Sequence, residues 1–163
     1  MKDGKLISSD TKKYLYRIIA RRDYTEYEIR KKVASKFDIA GEDLDEIIST
    51  LKRYELLDDQ RYKNNYMDEQ LSGGAGPYRI LRNLKNKGIG ISIETVEEFA
   101  VVNGYDLYTI AKKQLSKKLS YLNKGDKRTI VKKSFDFLLR KGFDVELIKR
   151  ILKEEGIDEG TFL

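Results

Sequence analysis

The sequence predicts an all-α protein built from three tandem three-helix repeats, on three observations. One proline and twelve glycines in 163 residues leave few strand-turn signals, while Lys, Glu, Leu, Ile and Arg dominate, all good to moderate helix formers. Apolar residues recur at helical spacing along the chain. Three helix ends also look alike: Ile29-Arg-Lys-Lys-Val33 running to Lys36-Phe37, Ile80-Leu-Arg-Asn-Leu84 running to Lys87-Gly88-Ile89, and Phe135-Asp-Phe-Leu-Leu139 running to Lys141-Gly142-Phe143. The 51 residues from Phe37 to Gly88 and the 54 from Gly88 to Gly142 fit a unit of about three short helices.

The first repeat, 11–57, reads as apolar stripes Leu15, Ile18, Ile19, then Ile29, Val33, Phe37, then Leu44, Ile47, Ile48, Leu51. The second, 58–103, reads Tyr62, Tyr66, then Ile80, Leu81, Leu84, then Ile93, Val96, Phe99. The third, 106–156, reads Leu107, Ala111, Leu115, Leu119, then Val131, Phe135, Leu138, then Val145, Ile148, Ile151, Leu152. Each stripe is narrow enough to need a neighbouring helix. The punctuation agrees: Thr25-x-x-Glu28 is a capping box, Gly76-Pro77 puts proline in a first helical turn, and Gly88 and Gly142 stand where left-handed caps end helices. The stretch Ser72-Gly-Gly-Ala-Gly76 reads as the most flexible point inside a repeat, followed by Asn123-Lys-Gly125, and neither is long enough for an interdomain linker.

Composition narrows the chemistry. With no cysteine and no histidine, disulfides, thiolate ligands, the commonest metal ligand and the usual general base near neutral pH are all missing, so the chain reads as a protein without catalytic residues, metal or cofactor. The 37% charged content and mean hydropathy of −0.60 suggest helices with broad solvated faces and an elongated molecule. No run reaches the roughly 18 apolar residues that cross a bilayer, and Met1 to Asp10 lacks a signal-peptide core, which points to the cytoplasm and away from membranes.

The charge is uneven. Residues 106–141 hold eleven Lys/Arg against three Asp, an excess of +8 that is larger than the +6 of the whole chain. Lys132 and Arg140 fall off the stripe of Val131, Phe135 and Leu138, and Lys113 and Lys117 fall off that of Ala111, Leu115 and Leu119. Like charges four residues apart cost an isolated helix roughly a few tenths of a kcal/mol, which an external anion would relieve. A phosphate backbone or an acidic protein groove is the partner such a field fits, weighed against a merely solvated face.

Other signals have plainer explanations. The glycines before Pro77 could offer amides to a phosphate, but no Gly-Lys-Ser/Thr follows, and a turn is the stronger reading. Asp58-Asp59 reads as helix capping rather than metal binding. Tyr14, Tyr62, Tyr66, Tyr108 and Tyr121 fall on or beside apolar stripes and read as packing rather than base-stacking platforms.

Leu57-Asp-Asp-Gln-Arg-Tyr62, then Gly76-Pro-Tyr-Arg-Ile80, Leu84 and Lys87-Gly-Ile89, resemble the central signature of the RecX family, bacterial regulators of the RecA recombinase. Thr25-x-x-Glu-Ile29 with Lys32-Val33 resembles the family's N-terminal segment, and Phe137-Leu-Leu-Arg-Lys-Gly-Phe143 with Ile148 and Leu152 its C-terminal one. The resemblance spans about residues 14–155; Tyr62, Lys63 and Lys36-Phe37 depart from the pattern. It implies a curved helical array, acting as a monomer, that lodges in the groove of a RecA-DNA filament. There it would block extension or promote disassembly and lower ATP hydrolysis, a negative regulatory role in DNA recombination, DNA repair and the SOS response. The docking residues under that reading are Arg79, Arg82 and Lys85, with Lys112, Lys113, Lys117, Lys132, Lys133 and Arg140. Contact with single- or double-stranded DNA would be independent of sequence. The alternative is a direct DNA-binding protein of helix-turn-helix type, for which Arg79, Arg82 and Asn83 come closest to a reading head.

Overall fold

The structure, a computed structural model, describes residues 9–122 and 126–157. Among these residues every regular element is an α-helix: α1 Ser9–Ile19, α2 Glu26–Ala34, α3 Gly41–Arg53, α4 Asp59–Ser72, α5 Pro77–Asn86, α6 Ile93–Val102, α7 Leu107–Leu119, α8 Lys127–Lys141 and α9 Val145–Glu154. The protein is all-α, as its sequence predicts, and the helix order is consistent with three successive three-helix sets. The Asn123-Lys-Gly125 turn lies outside the described residues.

Two compact units form. The first comprises the residues up to Asn65 together with Asn86–Gly90; the second comprises Tyr66–Lys85 and the residues from Ile91 on.

In the first unit, Leu15 and Ile18 of α1, Ile29 and Val33 of α2, and Leu44, Ile47, Ile48 and Leu51 of α3 close one core with Leu57. All of these helical positions belong to the stripes read from the sequence. Polar contacts then tie three sequence segments together. Thr25 and Glu28 complete the capping box of α2. The Thr25 hydroxyl also donates to the Lys87 carbonyl (2.7 Å), Lys87 Nζ meets Glu28 Oε1 (3.1 Å), and the Glu26 amide donates to Asp59 Oδ1 (2.8 Å). Asp58 accepts from the Arg61 amide at the start of α4 (2.9 Å). Both carboxylates of Asp58-Asp59 therefore cap helices, but different ones. Burial works against the Glu28 charge, yet Arg22, the Thr25 amide and Lys87 together hold its carboxyl below the ordinary carboxylate range.

In the second unit, Ala111 and Leu115 of α7, Leu138 of α8, and Ile148, Ile151 and Leu152 of α9 form a core with Phe143. Asp106, Asp126 and Asp144 cap α7, α8 and α9, each accepting from amides of its own first turn. The end of α8 is a left-handed cap: Gly142 has φ 90°, its amide donates to Leu139, and the Phe143 amide donates to Leu138.

The glycine-rich turn before α5 departs from expectation. Instead of being mobile, Gly74, Ala75, Gly76 and Pro77 are buried. The Gly76 amide donates to the Lys141 carbonyl (2.7 Å) and the Tyr78 amide to the Gly142 carbonyl (3.0 Å). A Cβ on Gly76 would stand 2.4 Å from the Gly142 carbonyl atoms, and one on Gly142 would stand 2.3 Å from the Arg79 amide. Two backbones meet where no side chain fits. The same bonds occupy the amides that a phosphate would need, so the anion reading of this turn falls. Tyr121 is a second correction, because at 85% exposure it stands in solvent and not in a helix-packing stripe.

Gly76→Ala is expected to cost about 2 kcal/mol through overpacking against backbone, and Gly142→Ala at least as much. Gly41→Ala, where nothing lies within 4 Å, should stay within about 0.5 kcal/mol of the parent in urea unfolding. Glu55, which ends α3 at φ 56°, supplies the opposite case. Glu55→Gly removes about 1–2 kcal/mol of left-handed strain against roughly 0.5–1 kcal/mol of added chain freedom, so the urea midpoint should rise.

Candidate functional site

The nine cations singled out from the sequence all lie in the second unit. The structure sorts them. Arg82 and Lys85 on α5, Lys113 on α7, and Lys132 and Arg140 on α8 are exposed and make no ion pair with another described residue. They stand off the buried stripes because Ile80 and Leu84, Ala111 and Leu115, and Val131 and Leu138 fill the inward positions of those helices. Lys133 is exposed as well, near the capping carboxylate of Asp126, whose carboxyl is held below its ordinary value first by Thr129 and only weakly by Lys133.

Lys112 behaves differently. Its Nζ meets Glu155 Oε1 at 2.8 Å and lies 5.8 Å from the Tyr108 ring centroid, while the Tyr108 hydroxyl donates to Glu154. The pair raises the Lys112 pKa, with Glu155 the main cause. An exposed pair of this kind, screened by solvent, contributes little to stability, so the ammonium can be drawn to another anion at modest cost.

Arg79 sits in the first turn of α5, where no acidic residue accompanies it. Its neighbour is Lys141 at the end of α8, and the two line an open cleft of about 420 Å³ with Glu69, Gln70, Ser72, Gly73 and Ala75. The backbone bonds from Gly76 and Tyr78 to Lys141 and Gly142 fix this juxtaposition. Lys141 carries a pKa below the ordinary lysine value, through burial first and then the charges of Arg79 and Lys117.

Sequence reasoning read Lys141 only as part of a Lys-Gly helix end, because its charge neighbours come from two other helices. Asn83, the amide nearest to a helix-turn-helix reading head, has its Nδ2 donating to the Tyr66 hydroxyl (3.0 Å) and is engaged inside the fold. Among the described residues no cluster of three or more carboxylates could hold a metal ion, and no helix is long and apolar enough to cross a membrane.

Fold and surface together define a class: an all-α protein of short capped helices that presents uncompensated cations on α5, α7 and α8. Known proteins of that class place the chain further. No protein-family model matches it. Regulatory protein RecX of Haemophilus influenzae (strain PittEE) is 28% identical over 130 residues, covering 80% of this chain and 84% of that protein. Regulatory protein RecX of Clostridioides difficile (strain 630) is 31% identical over 142 residues, covering 84% and 64% respectively. The crystal structure of RecX from Lactobacillus salivarius shares the fold at a TM-score of 0.69 and 24% identity, over 92% of this chain and 97% of that one. A second crystal structure, of regulatory protein RecX, gives a TM-score of 0.72 at 23% identity, over 88% and 72%. Over most of its length the chain is similar in sequence to regulatory proteins named RecX, and it shares the fold of the RecX crystal structures.

Replacing Lys141 by Gln removes a half-buried charge pressed by two like charges. At neutral pH the variant should melt above the parent. The folded-state pKa of Lys141 lies below the unfolded one, so between them the unfolded chain binds the extra proton and the parent gains stability as pH rises. The gap between the two melting curves should therefore narrow from neutral pH toward the ordinary lysine range, as followed by circular dichroism.

Proposed function

We propose that this protein is a negative regulator of RecA that binds the RecA-DNA filament, blocks its extension or promotes its disassembly, and lowers its ATP hydrolysis in the cytoplasm during recombination and repair. Similarity to regulatory proteins named RecX supports the regulatory role. The observation that carries the rest is the set of exposed cations on α5, α7 and α8 that make no ion pair with another described residue. Cationic helical faces suit a groove bordered by DNA phosphates and acidic side chains.

The three repeats, 11–57, 58–103 and 106–156, are the proposed units of that array, and the docking residues are Arg79, Arg82, Lys85, Lys112, Lys113, Lys117, Lys132, Lys133 and Arg140. Lys112 would exchange Glu155 for the partner. The chain would act as a monomer, without cofactor or catalytic residue, and touch DNA without regard to sequence. A helix-turn-helix reader acting on DNA alone is the weaker reading, since the Asn83 amide is held by Tyr66.

Added to preformed RecA filaments on single-stranded DNA, the protein should reduce ATP hydrolysis and filament length at concentrations comparable to RecA. An unchanged rate and length would sink this reading. Replacing Lys132, Lys133 and Arg140 together by Glu should weaken the inhibition and flatten its salt dependence.

A further inference from the structure

Lys118 and Lys141 are absent from the cations singled out in the sequence, yet both converge on one ring. Lys118 Nζ, from the last turn of α7, lies 5.5 Å from the Phe137 centroid, and Lys141 Nζ, from the last turn of α8, lies 5.6 Å from it. Arg79 borders the same cleft as Lys141 from the start of α5, and Lys117 adds its charge to the field on Lys141. Lys141 thus joins cations from three helices, sharing the Phe137 ring with Lys118, the cleft with Arg79 and a charge interaction with Lys117, and none of the four makes an ion pair with another described residue. One carboxylate, Glu69, lines the cleft, at its α4 side.

Helix ends explain only part of this. Lys117, Lys118 and Lys141 stand at helix C-termini, where the dipole favours a cation. Arg79 stands at the opposite kind of end, the N-terminus of α5, where the dipole disfavours one and no acidic residue compensates. The α5 amides cannot supply the balance by taking an anion directly, since Gly76 and Tyr78 donate to Lys141 and Gly142. The backbone contact that fixes the fold therefore brings Arg79 and Lys141 together and leaves the charge unpaid. A folded protein keeps such a cluster at a cost in stability unless a ligand offsets it.

We propose that Arg79, Lys117, Lys118 and Lys141 form one phosphodiester-binding cluster that grips the backbone of a nucleic-acid strand. A nucleic acid fits better than an acidic protein segment. The four cations come from three helices, two of them lining an open cleft, which suits successive phosphates along a strand, and the guanidinium of Arg79 adds a fork that matches phosphate oxygens. The cluster deepens the filament-binding reading by assigning this part of the surface to DNA, and its test does not need RecA.

The test measures the anisotropy of a labelled thirty-nucleotide oligo-dT, with the full chain and no RecA, across a salt series. Three double variants are compared with the parent: Lys118→Gln/Lys141→Gln, Lys118→Arg/Lys141→Arg, and Lys12→Gln/Lys31→Gln, the last removing the same charge from exposed positions of the first unit. The Gln pair at the cluster should weaken binding roughly tenfold or more and lower the salt slope by about 1.4, at roughly 0.7 per phosphate contact on a single strand. The Arg pair should bind as the parent does, and the first-unit pair should change affinity less than about twofold. Equal losses in both Gln pairs, or no loss in the cluster pair, would overturn the assignment. So would competition by polyglutamate as effective as that by unlabelled oligo-dT, which would make the cluster a reader of carboxylates. RecA ATP hydrolysis measured on the same samples separates the two ideas: a parent that binds oligo-dT through the cluster yet leaves RecA unaffected supports the cluster and removes the filament reading.

Discussion

The contact between the backbones of Gly76 and Gly142 is the constraint on which the second unit depends. A Cβ on Gly76 would meet the Gly142 carbonyl and one on Gly142 would meet Arg79, and the amides of Gly76 and Tyr78 take the carbonyls of Lys141 and Gly142. Those carbonyls follow a left-handed helix end and have no partner in their own helix, while the two amides open α5 and lack one in theirs. One contact thus satisfies the end of α8 and the beginning of α5 together. Phe143 is buried beside it in the core with Leu138 and Ile148, so the polar contact and the apolar one enforce the same arrangement.

The first unit uses a different joint for a similar purpose. There the capping box of α2 does double duty: Thr25 accepts from the Glu28 amide while its hydroxyl donates to the Lys87 carbonyl, and Glu28 takes both Arg22 and Lys87. Asp59, from the start of α4, caps the same helix from outside. The segments that resemble the RecX signature are therefore mostly joints. Thr25-x-x-Glu28, Asp58-Asp59, Gly76-Pro77, Lys87-Gly88 and Lys141-Gly142 hold helix ends to one another, and the proposed docking cations stand on the helices so held. The sequence resembling RecX here records how helices are locked together.

That division explains which parts of the protein were legible in advance. The helical class, the apolar stripes and the capping box follow from periodicity and local hydrogen bonding, which act within about four residues. Ile29, Val33, Ile47, Ile80, Leu84, Leu115, Leu138 and Ile148 are all buried as their spacing demands. Exposure of Lys113, Lys132 and Arg140 follows from the same geometry, since a residue off the stripe of an amphipathic helix faces water. Tyr121 failed because it lies beyond the end of α7, where helical spacing no longer assigns a face.

The sequence by itself determined an all-α chain, the inward face of its helices and a basic surface toward its C-terminal third. Only the tertiary structure decided that the glycine-rich turn is a joint instead of a hinge, because its partner lies more than sixty residues away and no local rule links them. It also decided that Lys112 is paired with Glu155 while Lys141 is crowded by Arg79 and Lys117. The charge of a side chain is written in the sequence, but its compensation depends on distances between helices and on burial, which together set the Coulomb energy.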